Sequence, residues 1–396
     1  MICAGEYFSD HYFVILSIFM NKTQRTLRMH TRTTFPARGM LATALVIALS
    51  LGVSTAMSPA TLGGWASLVL VAMVPTQIVY GLLWKNRLPR ASTRIAQPAR
   101  GLLQLSMTAA IGACVACGAL FFAGGGAPTP FAIMFLILSV PVTFCLVVVW
   151  ETWPLRLAIQ HEGALGLSLL AAAYAITAIL YRTLFNFSFA AHAPFYRFTL
   201  DPNGAFMAWL PLTTALDALV FMLLAVLFDF WPVPVLARRF RLLQTQPASG
   251  FTIAVGVALG TGALWLACIG AGGMDVVMFM TRVCVCTIFG VFVLLVMLEG
   301  LPALKLRQPL RGIVLTILAL LIGQGAFALY GLVARQRFHL MPGAPAYDFE
   351  LWLASSMLSV TFPAMVWFAQ YFQFWPLASH ADPAAATRRD SASIEA

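Results

Sequence analysis

The sequence predicts an all-α integral membrane protein, a polytopic bundle of ten transmembrane helices arranged as five tandem helical hairpins. Three observations lead to this fold class. Hydrophobic residues fill 61% of the 396 positions and charged residues only 10%, which leaves too little polar surface to coat a water-soluble globule of this size. Apolar stretches of about 20 residues, the length that crosses a bilayer, recur along the chain. An internal repeat divides these stretches into pairs.

Each predicted span is a helix, because a chain that crosses lipid must satisfy its backbone hydrogen bonds within the segment. The spans lie at roughly 40–57, 62–84, 101–123, 130–150, 163–185, 208–228, 251–271, 274–298, 312–334 and 351–372. They divide the chain into a cytoplasmic extension over residues 1–39, a transmembrane domain over 40–376 and a disordered cytoplasmic tail over 377–396. The apolar run 13–20 is too short to span, so a start at Met20 remains an alternative.

The repeat is a polar residue, one spacer, Trp or Leu, and then Pro, at the end of every second span. Its five copies are 86–89, 151–154, 229–232, 299–302 and 373–376. Proline cannot continue a helix, so each copy predicts the end of an even-numbered helix. A second phrase, Gln-Pro-x-x-Gly, precedes three of the following helices, beginning at Gln97, Gln246 and Gln308, and a variant of it begins at Gln160.

The polar residues that open the repeat are Asn86, Glu151, Asp229, Glu299 and Gln373. A carboxylate at a helix C-terminus opposes the helix dipole by roughly 0.3–1 kcal/mol, so a compensating partner is expected. Two hypotheses stay open. These side chains either pin the following loops through salt bridges and amide hydrogen bonds, or form a ring around a cytoplasmic vestibule or ion site.

The distribution of basic residues orients the bundle. When the loops are taken alternately, those on one side carry most of the 24 Lys and Arg residues. Short loops rich in Lys and Arg stay in the cytoplasm, so the sequence predicts a multi-pass protein of the cell inner membrane with both termini cytoplasmic. The same charge favours anionic lipids as partners at the cytoplasmic face. Nucleic-acid binding would need a cluster of basic residues on a folded soluble face, and the sequence predicts no such cluster.

Two charged residues, Asp217 and Arg282, lie unambiguously within predicted spans, away from the span ends. Each would cost about 2.5–3.5 kcal/mol at bilayer depth, so each needs a role. At 1.5 Å per residue, Asp217 lies near the midplane and Arg282 in the outer leaflet. Three alternatives stay open: the two residues form a structural clamp between the third and fourth hairpins, they belong to a proton- or substrate-binding site, or they make no contact. Nearby hydroxyl groups are those of Thr213, Thr214, Thr281 and Thr287.

The outer loops after the fifth and ninth spans are long and aromatic. Such segments are typical of half-buried caps at the membrane interface. The other hypothesis is a shared metal or ligand site, for which the candidates are His192, His339, Asp348 and Glu350. No His-x-x-x-His spacing supports a zinc site.

No motif for a soluble catalytic domain or a nucleotide occurs in the sequence, and no cofactor is predicted. The preferred interpretation is a transporter or permease for a small molecule, with proton coupling through Asp217 as an option. The alternative is a membrane-embedded enzyme, or a subunit of a redox or metal complex, with its site at the outer loops. A third class is a structural subunit that packs on a partner membrane protein or on a second copy of itself.

Overall fold

The computed structural model describes residues 35–86, 95–301 and 304–378. Ten helices in these ranges are long and apolar enough to cross a membrane, which confirms the predicted fold class and the number of spans. They are α1 Pro36–Ala56, α2 Pro59–Leu83, α3 Ala99–Phe122, α4 Pro130–Val149, α5 Glu162–Leu184, α6 Trp209–Leu227, α7 Ala248–Ala271, α8 Val276–Met297, α9 Leu310–Phe338 and α10 Asp348–Tyr371. The predicted extension before residue 35, the tail after residue 378, and the repeat positions Pro89 and Pro302 lie outside the described residues.

Burial separates the ten helices into two classes. The spanning windows of α2, α4, α6, α8 and α10 are between 61% and 83% buried, whereas those of the odd-numbered helices are between 11% and 33% buried. The even helices contact one another in the order α2, α4, α6, α8, α10 and back to α2. They therefore form a closed inner ring of five helices, and the odd helices form an outer layer.

Each outer helix packs over two neighbouring helices of the inner ring. Helix α3 lies on α2 and α10, α5 on α4 and α2, α7 on α6 and α4, α9 on α8 and α6, and α1 on α10 and α8. The most extensive contacts join an even helix to the odd helix that follows it across a basic loop. The five predicted hairpins are therefore not confirmed as packing units.

The outer helices turn large apolar side chains away from the bundle. Exposed examples, one from each outer helix, are Leu49, Phe121, Ile179, Leu259 and Leu321. A helix whose outward face is this apolar requires lipid as its solvent. The structure therefore places the chain in a bilayer as a multi-pass membrane protein.

Glycine permits the closest helix approach in the bundle, between α8 and α9. A Cβ atom at Gly290 would overlap the carbonyl oxygen of Ala319, and one at Gly323 would overlap that of Cys286. Small residues allow two membrane helices to bring their backbones together and to gain van der Waals contact. This pair of glycines fixes α9 on the inner ring.

Four inner helices contain π-helical segments, whereas α6 is α-helical throughout its described span. In three of these segments a side chain donates to the carbonyl oxygen five residues earlier. The donors and distances are Ser67 to Leu62 at 2.7 Å, Cys286 to Thr281 at 3.2 Å and Thr361 to Ser356 at 2.9 Å. Several polar side chains in the spans thus have a structural role, because they satisfy backbone groups that the widened turn releases.

Candidate functional site

Asp217 occupies the middle of α6 and is fully buried, with an exposed fraction of 0%. Neither of its carboxyl oxygens has a hydrogen-bond partner. Ten residues separate it from the last residue of α6, which corresponds to about 15 Å along the helix axis. A buried polar group without a partner is uncommon and requires an explanation, so Asp217 is the centre of the candidate site.

Arg282 does not approach Asp217. Its side chain is exposed on α8, and its guanidinium group lies 5.6 Å from the ring centroid of Phe327 on α9. The ion pair seen in the described part of the chain is formed by Arg311 and Asp229, not by Arg282 and Asp217. The structure therefore does not bring together the two charged residues that the sequence suggests as a clamp.

The hydroxyl groups near Asp217 divide by their orientation. Thr213, one turn earlier on α6, is fully buried and its hydroxyl has no partner. Thr214 is instead exposed and donates to the carbonyl oxygen of Leu210 at 2.8 Å. Thr281 donates to Val277 at 3.0 Å. Of these threonines, Thr213 is thus the one that, like Asp217, is buried without a hydrogen-bond partner for its side chain.

Contacts of α6 show which way Asp217 faces. Phe221 packs on Gly260 of α7, and Phe228 packs on Gly312 of α9. Residues four and eleven positions apart lie within about 40° of each other around a helix, so Asp217 shares this face. The opposite face of α6 is apolar and buried, with Leu212, Leu216, Leu219, Leu223 and Val226. The candidate site therefore lies between the inner ring and the outer helices, not on the ring axis.

Two helices that pack on α6 carry further polar groups. Thr261, the residue after Gly260 on α7, is buried and its hydroxyl has no partner. The thiol of Cys284 on α8 is within electrostatic range of the Asp217 carboxyl group. Thr261 is not singled out by the sequence, because a threonine inside an apolar helix usually bonds to its own backbone.

Two further buried side chains without hydrogen-bond partners, those of Thr76 and Gln77, lie on α2. The side-chain amide of Gln77 has no partner at either its oxygen or its nitrogen, and the hydroxyl of Thr76 also has none. Both residues are buried, at 3% and 0% exposed. The sequence does not single out these two residues, because neither is charged and uncharged polar residues are tolerated in membrane helices when a partner is near.

The ends of the inner helices share one backbone conformation. Two consecutive residues with positive φ follow each inner helix, namely Lys85 and Asn86, Glu151 and Thr152, Asp229 and Phe230, Glu299 and Gly300, and Gln373 and Phe374. After α6 the second N–H donates to the carbonyl oxygen five residues earlier, as in a Schellman cap, and in the other four pairs it donates to the carbonyl oxygen six residues earlier. Four predicted polar positions are thus first in their pair, whereas Asn86 is second.

A glycine near the start of every outer helix packs against the residue that precedes one of these pairs. The contacts are Gly39 on Leu298, Gly101 on Phe372, Gly166 on Trp84, Gly250 on Trp150 and Gly312 on Phe228. A Cβ atom added at each glycine would come within 3.0 Å of the partner side chain. These contacts join α1 to α8, α3 to α10, α5 to α2, α7 to α4 and α9 to α6.

The Gln-Pro phrase strengthens three of these contacts. In each, the glutamine oxygen accepts a hydrogen bond from the glycine N–H four residues later. The glutamine nitrogen donates to a carbonyl oxygen at the end of an inner helix, from Gln97 to Tyr371 at 2.8 Å, from Gln246 to Val149 at 3.1 Å and from Gln308 to Leu227 at 3.0 Å. The phrase therefore satisfies helix-terminal carbonyl groups that would otherwise lack partners. We call these three sets the Gln–Gly contacts.

Asp229 takes part in the contact made by Gln308. Its carboxylate accepts a hydrogen bond of 2.8 Å from the Gln308 amide and lies 3.6 Å from the Arg311 guanidinium group. Arg311 also donates to the carbonyl oxygen of Gly300, and Arg100 makes the same connection to Asn86. Asp229 thus pins the start of α9.

The outer loops do not assemble the suggested metal site. His192, His339 and Asp348 are exposed, and the carboxylate of Glu350 accepts a hydrogen bond of 3.0 Å from the N–H of Gly343. In the three described ranges no group of three or more His, Cys, Asp or Glu residues could hold a metal ion.

Carboxylates instead organise these loops. Asp201 accepts from the N–H of Phe187 and, at 3.1 Å, from the hydroxyl of Tyr196. Tyr347 donates to Asp275, the N-cap of α8, at 2.9 Å. Desolvation, this hydrogen bond and nearby carboxylate charge raise the pKa of Tyr347.

The chain matches no protein-family model, no curated protein sequence and no solved structure. The fold defines its class, a multi-pass membrane protein with ten apolar helices in its described residues.

Proposed function

We propose that the protein is a permease of the cell inner membrane that carries a small molecule, with Asp217 in its substrate or coupling site. The observation that carries this proposal is the fully buried Asp217 carboxyl group without a hydrogen-bond partner. An ionisable group at bilayer depth is costly and is typically retained for a pathway, a relay or a ligand. No structural partner for it occurs among the described residues, so a transported ligand or ion is the better explanation.

The proposed orientation places both termini and the ends of the inner helices in the cytoplasm. The loop after α6 supports it, because Arg238, Arg239 and Arg241 are exposed there beside exposed apolar side chains such as Phe240 and Leu242. This combination suits an anionic lipid surface.

The common backbone conformation and glycine contact at all five inner-helix ends support a five-fold internal repeat. In this proposal the repeat is the structural unit from which the permease is built. An outer-loop enzyme or redox site has less support, since His192, His339 and Asp348 are exposed and no metal-binding group forms in the described ranges.

A comparison of metabolite pools tests the proposed function. Cells that produce the wild-type protein, the Asp217→Asn variant or no protein would be separated from their medium, and both fractions profiled by mass spectrometry. We expect the wild type to redistribute at least one small molecule and Asp217→Asn to abolish this change. Thr177→Val is the matched control, because Thr177 is equally buried but its hydroxyl donates to Ala173 at 2.7 Å.

Two outcomes would contradict the proposal. One is an unchanged metabolite distribution in cells whose membranes contain the folded wild-type protein. The other is full retention of the redistribution by Asp217→Asn, which would remove Asp217 from the pathway. Native mass spectrometry of the purified protein would identify a co-purified ligand independently.

A further inference from the structure

We infer that the Asp217 site binds a monovalent cation, either a proton or an alkali-metal ion, as the coupling ion of transport. This inference rests on the proposed function and assigns the chemistry of the same site. Three groups compose the site, namely the carboxyl of Asp217 and the hydroxyls of Thr213 and Thr261. All three are buried, and their side-chain oxygens have no hydrogen-bond partner.

The three residues lie on two helices that pack together. Thr213 and Asp217 are one turn apart on α6, and Phe221 follows one turn later. Phe221 contacts Gly260 of α7, the residue before Thr261. In the proposed site, oxygens from both helices bind one small ligand.

The charge around the site requires a positive ligand. Helices α4, α7, α8 and α9 pack against α6. Their charged and titratable groups within the bilayer are Cys145, Cys268, Arg282, Cys284, Cys286 and Tyr330. Arg282 is the permanent cation of this set, and it is exposed and lies over Phe327.

The remaining cations of α9 are Arg311, Arg335 and Arg337, which lie in its first and last turns. Across these four described helices, therefore, no basic side chain neutralises Asp217. A cation of single charge would balance one carboxylate, whereas a divalent ion would leave excess charge in a low-dielectric interior.

The ligand atoms favour a hard cation over a transition metal. Carboxylate and hydroxyl oxygens suit protons and hard metal ions, whereas thiolate and imidazole select softer metals. Cys284 is the thiol within electrostatic range of Asp217, and the described ranges contain no set of His, Cys, Asp and Glu residues able to hold a metal.

Thermal stability in lipid nanodiscs tests the inference directly. The wild type, the variants Asp217→Asn, Thr213→Val and Thr261→Val, and the control Thr177→Val would be unfolded in sodium, potassium or choline chloride at equal ionic strength over a range of pH. A ligand that binds only the folded state raises the Tm. We expect a saturable rise of about 2–4 °C in the wild type, which Asp217→Asn abolishes.

The threonine variants report on the ligand shell. We expect Thr213→Val and Thr261→Val each to raise the half-saturating concentration of an alkali-metal ion about tenfold, the effect of one good ligand interaction, while Thr177→Val matches the wild type. If Asp217→Asn does not fold, these two variants decide, and an unchanged half-saturation in both would overturn the alkali-metal assignment.

Two parts of the experiment distinguish an alkali-metal ion from a proton. A response to sodium or potassium at constant pH assigns the alkali-metal ion. Without such a response, a dependence of Tm and of metabolite redistribution on pH that disappears in Asp217→Asn assigns the proton. If neither cation has an effect while Asp217→Asn still abolishes redistribution, the cation inference is overturned and the proposed function stands. If Asp217→Asn also retains redistribution, both fail.

Discussion

The side-chain amide of Gln308 donates a 2.8 Å hydrogen bond to the carboxylate of Asp229, which lies 79 residues earlier in the chain. The same nitrogen donates to the carbonyl oxygen of Leu227, and the glutamine oxygen accepts from the N–H of Gly312. One glutamine thus holds the start of an outer helix on the end of an inner helix that is distant in sequence.

Removal of this glutamine should destabilise the bundle. We expect Gln308→Ala to lower the free energy of unfolding by about 1–3 kcal/mol, because it leaves partly buried donor and acceptor groups without partners. Thermal unfolding in detergent measures the effect. Gln324→Ala is the control, since Gln324 is exposed and donates a hydrogen bond to the carbonyl oxygen of Arg282. Equal losses of stability in both variants would contradict the role given to Gln308.

Two glycines of α9 provide a matched test of the α8–α9 contact. A Cβ atom at Gly323 would overlap the backbone of Cys286, whereas one at Gly325 would meet no atom within 4 Å. We expect Gly323→Ala to cost about 1–3 kcal/mol through overpacking. Gly325→Ala should be neutral or stabilising by up to about 1 kcal/mol, because alanine favours a helix. Similar unfolding temperatures for the two variants would show that α9 does not approach α8 this closely.

The packing of the outer helix α1 on α8 predicts a cross-link between these two helices. In a background without the seven native cysteines, we expect cysteines at positions 39 and 298 to react with a short bifunctional thiol reagent, since Gly39 packs on Leu298. The control places the first cysteine at Gly52, also on α1 but with open space around it. A shift in electrophoretic mobility after proteolysis between α1 and α8 reports the bond. Equal cross-linking of both pairs would argue against a specific contact of α1 with α8 at these residues.

The outer loop after α9 should loosen at alkaline pH. The pKa of Tyr347 is raised in the folded protein, so its contribution to stability is complete below the unfolded pKa of about 10 and is lost as the pH rises through the folded value. We expect Tyr347→Phe to lower the Tm at neutral pH, with the difference from the wild type shrinking above pH about 10. A difference that stays constant with pH would mean that the hydrogen bond to Asp275 does not contribute.

Hydrophobic content alone predicts the ten helices, because each must bury a span of fixed length in lipid. The order in which they pack is not predictable in the same way. The packing of α1 on α8 depends on Gly39 fitting against Leu298, and no local sequence pattern links these two residues. The first repeat also differs from the other four in a way that the sequence does not show. Helix α2 ends six residues before its repeat proline, whereas the other inner helices end five residues before theirs. Asn86 therefore takes the second position of the positive-φ pair.

The sequence identified Asp217 because a charge in an apolar span is conspicuous, but it did not predict the surroundings. Which of Thr213 and Thr214 is buried depends on the rotation of α6 against its neighbours. Arg282 was expected near Asp217 from depth alone, yet a long cationic side chain can leave the interior along an aromatic surface. The contribution of Thr261 required the α6–α7 contact to be known.

The most direct test of the account is chemical labelling of Asp217 by dicyclohexylcarbodiimide, a hydrophobic reagent that modifies carboxyl groups inside membranes. Peptide mass spectrometry of the protein in native membranes would compare Asp217 with Asp229, whose carboxylate is held by Gln308 and Arg311. We predict modification of Asp217 and little of Asp229. If the coupling cation is an alkali-metal ion, a saturating concentration should reduce the label on Asp217. If it is a proton, a lower pH should increase this label, because the reagent modifies the protonated carboxyl group. An unmodified Asp217 in folded protein, or labelling of the two residues to the same extent, would contradict the presence of a free carboxyl group at the centre of a membrane site.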